Sequence, residues 1–326
     1  MKIGSYTLPN NLILAPMAGI TDRPFRELAR QFGVGLAVSE MVASNPSLQK
    51  HKRTLLKTDY TGETGLRSVQ ILGTNPKHMA DAALLNQQRG AQIIDINMGC
   101  PAKKVCSVAA GSALLRDEDL VKRILDAIVN TVDIPVTLKI RTGWDKETKN
   151  AINIAKIAEQ SGIAALTIHG RTRACKFQGE AEYNTIKQVK QAVSLPIIAN
   201  GDITTAKKAQ HVLEYTGADA IMIGRAAQGK PWVFDEILQS LNQNSNYKKP
   251  SIKDIQSIIN NHLEELYSFY GDLSGVRIAR KHIGWYFDNL GSFPASLKKE
   301  IYQATTPLQQ IFLVNSVFSN TEFSYQ

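Results

Sequence analysis

Ile93-Ile94-Asp95-Ile96-Asn97-Met98-Gly99-Cys100-Pro101 is an apolar, β-branched run that turns polar and then meets a glycine, a thiol and a proline. A run of that form, bounded by loop residues, reads as a buried strand with chemistry at its carboxyl end. Seven others resemble it, at 12–19, 35–42, 67–73, 135–143, 165–172, 196–202 and 220–226. They recur about every 30 residues, the length of a strand plus the helix that a parallel crossover requires. Eight such units predict an α/β fold, a closed TIM (β/α)8 barrel. An open doubly wound sheet would alternate similarly. However, no GxGxxG follows the first run, and polar residues gather at the ends of nearly all eight runs rather than at one switch point.

Helices between the runs are legible from their ends. Residues 76–89 carry Met79, Ala82, Ala83 and Leu85 and stop at Gly90, and Thr204 and Thr205 open a helix with Val212 and Leu213 inside it. After Leu241 the polar stretch 242–250 reads as a linker, and 251–270, 274–288 and 296–320 have helical periodicity. The expected organisation is a catalytic barrel over 1–241 and a C-terminal all-helical domain over 242–326. The tail's cations and acids nearly cancel, so most of the net +9 falls on the barrel, and a polyanion-binding surface must include it.

With 326 residues, 43% hydrophobic and 21% charged, the chain has the composition of an ordinary globular protein rather than a disordered or disulfide-stapled one. A chain of this size buries roughly 75% of its extended surface and needs no cross-link to hold a core. Its cysteines, Cys100, Cys106 and Cys175, include no CxxC pair, which points to a reducing compartment. No stretch reaches the roughly 18 apolar residues of a membrane span, and 12–19 is too short and too quickly charged for a signal sequence. The expectation is a cytoplasmic protein without membrane contact and, by default, a monomer. No HExxH, CxxC or acidic cluster suggests a metal.

The candidate chemistry lies at the strand ends. Cys100 stands where a strand meets its loop, three residues after the amide of Asn97 and just before Lys103 and Lys104; Cys106 and Cys175 lack that framing. In Thr137-Leu138-Lys139-Ile140-Arg141 the period of two sends Lys139 and Arg141 to one side. A lysine inside a barrel is costly unless it meets an anion or an electron-rich ring. His169, Arg171 and Arg173 end the sixth run. Asn200-Gly201-Asp202 and Gly224-Arg225 end the last two, where glycines let backbone N–H groups approach a phosphate. Pro16-Met17-Ala18 and Gln70 add an apolar platform with one amide. Together these suit a flat heteroaromatic ring with a phosphate, a description that FMN meets. In the tail, Arg277, Lys281 and Trp285 recur every four residues with Arg280 beside them. That spacing serves a solvated basic face as readily as a nucleic-acid backbone with an unstacked base.

Across nearly its whole length the sequence resembles the tRNA-dihydrouridine synthases, most of all their bacterial B subgroup. The resemblance rests on Ala15-Pro16-Met17-Ala18-Gly19-Ile20-Thr21-Asp22-Arg23-Pro24-Phe25-Arg26, Ser39-Glu40-Met41, 95–104, Lys139-Ile140-Arg141-Thr142-Gly143-Trp144, Ile168-His169-Gly170-Arg171-Thr172-Arg173, Asn200-Gly201-Asp202-Ile203 and 222–229. It implies NADPH- and FMN-dependent reduction of the C5=C6 bond of uridines in the tRNA D-loop, and tRNA as partner. It further implies that Pro16, Met17, Ala18, Gln70, Lys139, His169, Asn200, Gly201, Asp202, Gly224 and Arg225 bind FMN. Cys100 is then the acid, giving C5 a proton as hydride reaches C6, and Asn97, Arg141, Arg171 and Arg173 face the uridine. Arg277, Arg280 and Lys281 are expected to contact tRNA. A thiol of pKa about 8.5 is about 97% protonated at pH 7, which suits an acid. The rivals are a flavin barrel reducing a free pyrimidine or other small enone, a Schiff-base aldolase using Lys139, and an RNA chaperone.

Overall fold

The computed structural model describes residues 1–244, 246–291 and 295–320. A short hairpin, Lys2–Ile3 against Tyr6–Thr7, precedes the barrel strands. These are β1 (Leu12–Leu14), β2 in two pieces (Leu36–Ala37 and Val42–Ala43), β3 (Ser68–Leu72), β4 (Ile93–Met98), β5 (Val136–Arg141), β6 (Ala165–His169), β7 (Ile197–Asn200) and β8 (Ala220–Ile223). All pair in parallel in the order β2-β1-β8-β7-β6-β5-β4-β3-β2. The first piece of β2 bonds to β1 and the second to β3, so both edges of the sheet belong to one strand. The sheet therefore closes into the (β/α)8 barrel that the sequence predicts.

The sequence predicts an unbroken second strand, whereas the structure interrupts it at Ser39-Glu40-Met41. There the chain changes partners: Val38 N–H still donates to Leu14 on β1, while Ser39 N–H donates to Ser68 on β3 (2.9 Å) and Ser39 Oγ receives the N–H of Gln70 (3.2 Å). Glu40 accepts the N–H of Gly19 and lies 3.7 Å from the ammonium of Lys57. The other strands are shorter than their runs because the last residues of each peel away into loops.

In the first unit the strands are followed by α1 (Arg23–Gln31), α2 (Lys52–Lys57), α3 (Pro76–Gln88), α4 (Lys103–Cys106) with α5 (Glu118–Val129), α6 (Ala151–Gln160), α7 (Asn184–Ala192) and α8 (Ala206–Thr216). Asn75 and Thr205 cap α3 and α8 through their side-chain oxygens. Apolar stripes such as Val121, Ile124 and Ile128 of α5 are fully buried. Ile3 and Leu8 join Ile93, Ala165, Ile198 and Ala220, at or near their strands' starts, in one apolar cluster. The amino-terminal end of the barrel is thereby plugged, and polar groups inside it are concentrated toward the carboxyl end.

The chain divides into two compact units, Met1–Gly224 and Arg225–Gln326. The second contains α9 (Val233–Leu241), α10 (Ile252–Tyr270), α11 (Asp272–Asn289), α12 (Ala295–Gln303) and α13 (Pro307–Asn320). Helix α9 groups with the helices because Trp232 just before it stacks on Tyr286 of α11, with ring centres 6.4 Å apart. Ser251 and Asp254 form a capping box at the start of α10. The single helix predicted over 296–320 is broken instead at 304–306. Pro307 disfavours helical backbone at Thr306, whose hydroxyl accepts the N–H of Gln309 (3.3 Å) and starts a new helix. Ser245 of the predicted linker and 292–294 and 321–326 of the predicted tail lie outside the described residues.

In this unit the buried rings of His262 and His282 meet edge to face at 4.8 Å, and His262 Nδ1 lies 3.0 Å from the Tyr286 hydroxyl. Burial, reinforced for both by the charge of Lys281 and for His282 also by His262, holds both histidines below their ordinary 6.5, His262 at about 3. The unfolded chain thus binds more protons below pH 6.5, and stability present above that value is lost as the pH falls toward 3. Hydrogen exchange of α10 and α11 should accelerate as the pH drops from 6.5 to about 4.5, after correction for intrinsic rates, and His282→Phe should blunt that response.

Candidate active site

Alternation sends Asp95 and Asn97 of β4, and Thr137, Lys139 and Arg141 of β5, to the barrel interior. Most of their partners are on other strands that face the same interior. The Thr137 hydroxyl and the Gln70 amide each donate to the Asp95 carboxylate at 2.6 Å, and Asn97 Nδ2 donates to Gln70 Oε1 at 2.7 Å. Lys139 Nζ donates to Asn200 Oδ1 (3.0 Å), and Asn200 Nδ2 to the carbonyl of Met222 (2.7 Å), which carries the pattern round to β8. Burial lowers Lys139 to about 8, helped by the charge of Arg141 and opposed by Asp95 and Cys100.

Cys100 is half-buried just beyond β4. Its N–H and that of Gly99 donate to Asn97 Oδ1 at 3.0 and 3.1 Å, and its carbonyl receives the N–H and hydroxyl of Ser112. Burial raises the Cys100 thiol above its ordinary value, against smaller opposing effects of the Ala102 N–H and the cations Arg141 and Lys139. Cys106 lies close by, its sulfur 3.6 Å from both the Cys100 carbonyl and the Ser112 hydroxyl. Cys175 receives the Thr172 hydroxyl at 3.1 Å.

Arg141 and Arg171, expected at the substrate, engage protein atoms. Arg141 donates to the carbonyls of Gly99 (2.9 Å), Thr172 (2.8 Å) and Lys176 (2.6 Å), beneath the exposed ring of Phe177. Arg171 grips both carboxylate oxygens of Asp202, at 2.9 and 2.5 Å, as well as the carbonyls of Gln178 and Gly179. Two glycines let these loops close: a Cβ on Gly170 would lie 2.3 Å from the Glu182 carbonyl, and one on Gly201, where φ is +125°, 2.7 Å from Ala181. His169 presents its ring to the edge of Phe177 at 6.3 Å. Pro16 and Met17 follow β1 and lead into a turn at 18–20, closed by the Thr21 hydroxyl, which accepts the Met17 N–H. The candidates of the first unit thus lie at the carboxyl ends of the strands or in the loops beyond them, except Gln70, which is central in β3, and Lys139, which is inside β5. Arg225, Arg277, Arg280 and Lys281 belong to the second unit.

Sequence reading passed over several residues of this face. Asp95 and Thr137 were signalled by polar residues at inward positions of apolar strands. Trp144 ends a family-like stretch with no local sign of a role, yet the guanidiniums of Arg173 and Arg116 stand over its ring, 4.3 and 4.6 Å from the centre. Neither has an ion-pair partner among the described residues. Nothing in the local sequence of Arg116 or Phe177 marks either.

The family model for dihydrouridine synthase (Dus) matches residues 13–322. This chain belongs to the dihydrouridine synthase family. Among its relatives, the tRNA-dihydrouridine synthase B of Vibrio vulnificus is 59% identical over 88% of this chain and 89% of its own length. That of Pseudomonas aeruginosa is 59% identical over 89% and 87%, and that of Vibrio cholerae 53% identical over 98% and 99%. Among solved structures, the old yellow enzyme homologue of Zymomonas mobilis aligns over 78% of this dihydrouridine synthase and 94% of itself, with a TM-score of 0.53 at 16% identity. A 2-naphthoyl-CoA reductase aligns over 74% of this chain and 51% of its own, at 0.59 and 13%. These last two likenesses concern the fold.

Removing one side of a buried ion pair strands the other. Arg171 is buried and Asp202 only partly so, and Asp202→Ala should cost this synthase up to about 3 kcal/mol, measured by urea unfolding. It should also open 176–180 to limited proteolysis while the barrel strands remain resistant.

Proposed function

We propose that this dihydrouridine synthase reduces the C5=C6 bond of uridines in tRNA, using bound FMN and NADPH, in the cytoplasm. The observation that carries the reading is a half-buried thiol, Cys100, fixed through Asn97 at the carboxyl end of a barrel whose interior places a cation and amide groups on β3, β4 and β5.

The residues present fit a flavin. Lys139, Asn200 and Gln70 offer N–H donors from three strands to the polar edge of a ring, and Ala15, Met17 and the bare backbone of Gly224 offer an apolar wall. A Cβ on Gly224 would stand 3.5 Å from both Ala15 Cβ and Met17 Sδ. Gly201, Asp202 and Arg225 follow β7 and β8, where this fold binds phosphate. His169, Pro16 and Ala18 complete the set assigned to FMN. When bound, the flavin supplies the hydride that adds to C6.

The chain's own groups do the rest. Because burial raises its thiol, Cys100 keeps a proton above neutral pH and can release it to C5. Lys139 is cationic at pH 7 and stabilises negative charge developing on an oxygen of the flavin or the uracil. It loses that charge as the pH rises through about 8, while the thiol persists. Asn97 and Arg173 are the residues assigned to the substrate; Arg141 and Arg171 hold loop carbonyls around the site. For tRNA, Arg116 and Arg173 over Trp144 offer unneutralised charge beside an aromatic face. In the second unit Arg277 is exposed, Lys281 and Trp285 are half-buried, and Arg280 donates to the Ala304 carbonyl.

Full-length FMN-loaded protein, NADPH and unmodified tRNA should yield dihydrouridine by mass spectrometry. Cys100→Ala should retain the flavin spectrum and lose most turnover; undiminished turnover removes Cys100 from its role, and activity on free uridine alone favours the small-enone reading. The kcat/KM should fall above about pH 8, and Lys139→Arg should move that limb upward. Arg116→Ala with Arg173→Ala should lower the slope of log K for tRNA against log salt by roughly two, as should Arg277→Ala with Lys281→Ala. An unchanged slope in either pair assigns it to packing.

A further inference from the structure

We infer that Asp95 is a positioning residue for the thiol: its carboxylate sets the direction of a hydrogen-bond chain that runs through Gln70 and Asn97 to the backbone of Cys100. The inference rests on the reading of Cys100 as the proton donor. It concerns a residue that does not itself touch the thiol.

The chain has two one-way ends. At one, the N–H groups of Gly99 and Cys100 can only donate, and both reach Asn97 Oδ1. At the other, an ionised carboxylate can only accept, and Asp95 takes the Gln70 amide on one oxygen and the Thr137 hydroxyl on the other. Between them lie two carboxamides, Gln70 and Asn97. Each alone could face either way, since oxygen and NH2 occupy nearly the same space. With both ends fixed a single arrangement satisfies every link. Gln70 must turn NH2 to Asp95 and oxygen to Asn97, and Asn97 must turn NH2 to Gln70 and oxygen to Cys100. A flip of either amide sets two donors or two acceptors face to face among buried groups, where water offers no alternative.

The register makes this specific. Gln70, Asp95 and Thr137 are side by side on β3, β4 and β5, and Asn97 follows Asp95 on the same face of β4. A neutral amide or an aliphatic side chain would fill the place of Asp95 with less desolvation. What only the carboxylate supplies is two acceptors and no donor. Among the described residues the charged side chain acting on it is Lys139 on β5, which in turn faces Arg141 and Cys100. Burial lifts Asp95 to about 6, against the bonds from Thr137 and Gln70 and the charge of Lys139. Protonation through that range gives Asp95 a donor that competes with the amide of Gln70, so the direction of the chain is imposed above about pH 6 and lost below it.

The test is Asp95→Asn in the full-length protein, which keeps the size but can donate as well as accept. Alkylation of each cysteine by iodoacetamide is followed by peptide mass spectrometry, with Cys175 as internal control. Expected are a rise of about threefold or more in the Cys100 rate with Cys175 unchanged, and a fall of about tenfold in kcat for dihydrouridine with little change in KM for tRNA. The wild-type acid limb near pH 6 should be missing from the variant's kcat profile. Unchanged Cys100 alkylation, or an acid limb that survives, overturns the inference even if kcat falls. Should Asp95→Asn fail to fold, Gln70→Leu cuts the same chain one link on and must raise Cys100 alkylation likewise, or the inference fails. Wild-type protein that makes no dihydrouridine removes the proposed activity instead, and the alkylation comparison still decides whether Asp95 governs the sulfur.

Discussion

A polar side chain inside a closed parallel barrel has no solvent to satisfy it, so its partner must come from another strand that faces the same interior. In this dihydrouridine synthase that constraint is met on β3, β4, β5, β7 and β8. Gln70 meets Asp95, Asp95 meets Thr137, Lys139 meets Asn200, and Asn200 meets the backbone of β8. A slip of one residue in any of these strands would turn the whole set outward and bring apolar neighbours inward. The same contacts that prepare the site therefore also specify the register on which the fold depends.

Polarity is graded along the barrel. Ile3 and Leu8 seal the amino-terminal end among aliphatic side chains, and charge and amides accumulate toward the carboxyl end. Above them, Arg141 and Arg171 gather loop carbonyls that would otherwise be left buried and unpaired. The low dielectric that makes such groups costly also raises the thiol, lowers the lysine and lifts the aspartate, each through loss of water.

The eightfold repeat was legible because each strand is a short aliphatic run closed by polar residues, a pattern that depends on nearest neighbours along the chain. Cys100, Lys139 and Asn200 were legible for the same reason: each interrupts or ends such a run. The split in β2 was not, since it arises from Ser39 changing partners between strands more than 20 residues away on either side. Nor could spacing separate a substrate arginine from one that fastens loops. Arg171 and Arg173 are two apart, yet one closes on Asp202 and the other lies over Trp144. The break before Pro307 was written in the sequence as a proline, but the aliphatic periodicity on both sides obscured it.

Arg141 draws its three acceptors from two loops, the Gly99 carbonyl beside the thiol and the carbonyls of Thr172 and Lys176 beneath Phe177. A guanidinium that is 3% exposed cannot exchange those oxygens for water without leaving its place. The loop that carries the sulfur and the loop that carries the aromatic are consequently one mechanical piece, so a load applied at Phe177 is transmitted to the backbone beside Cys100.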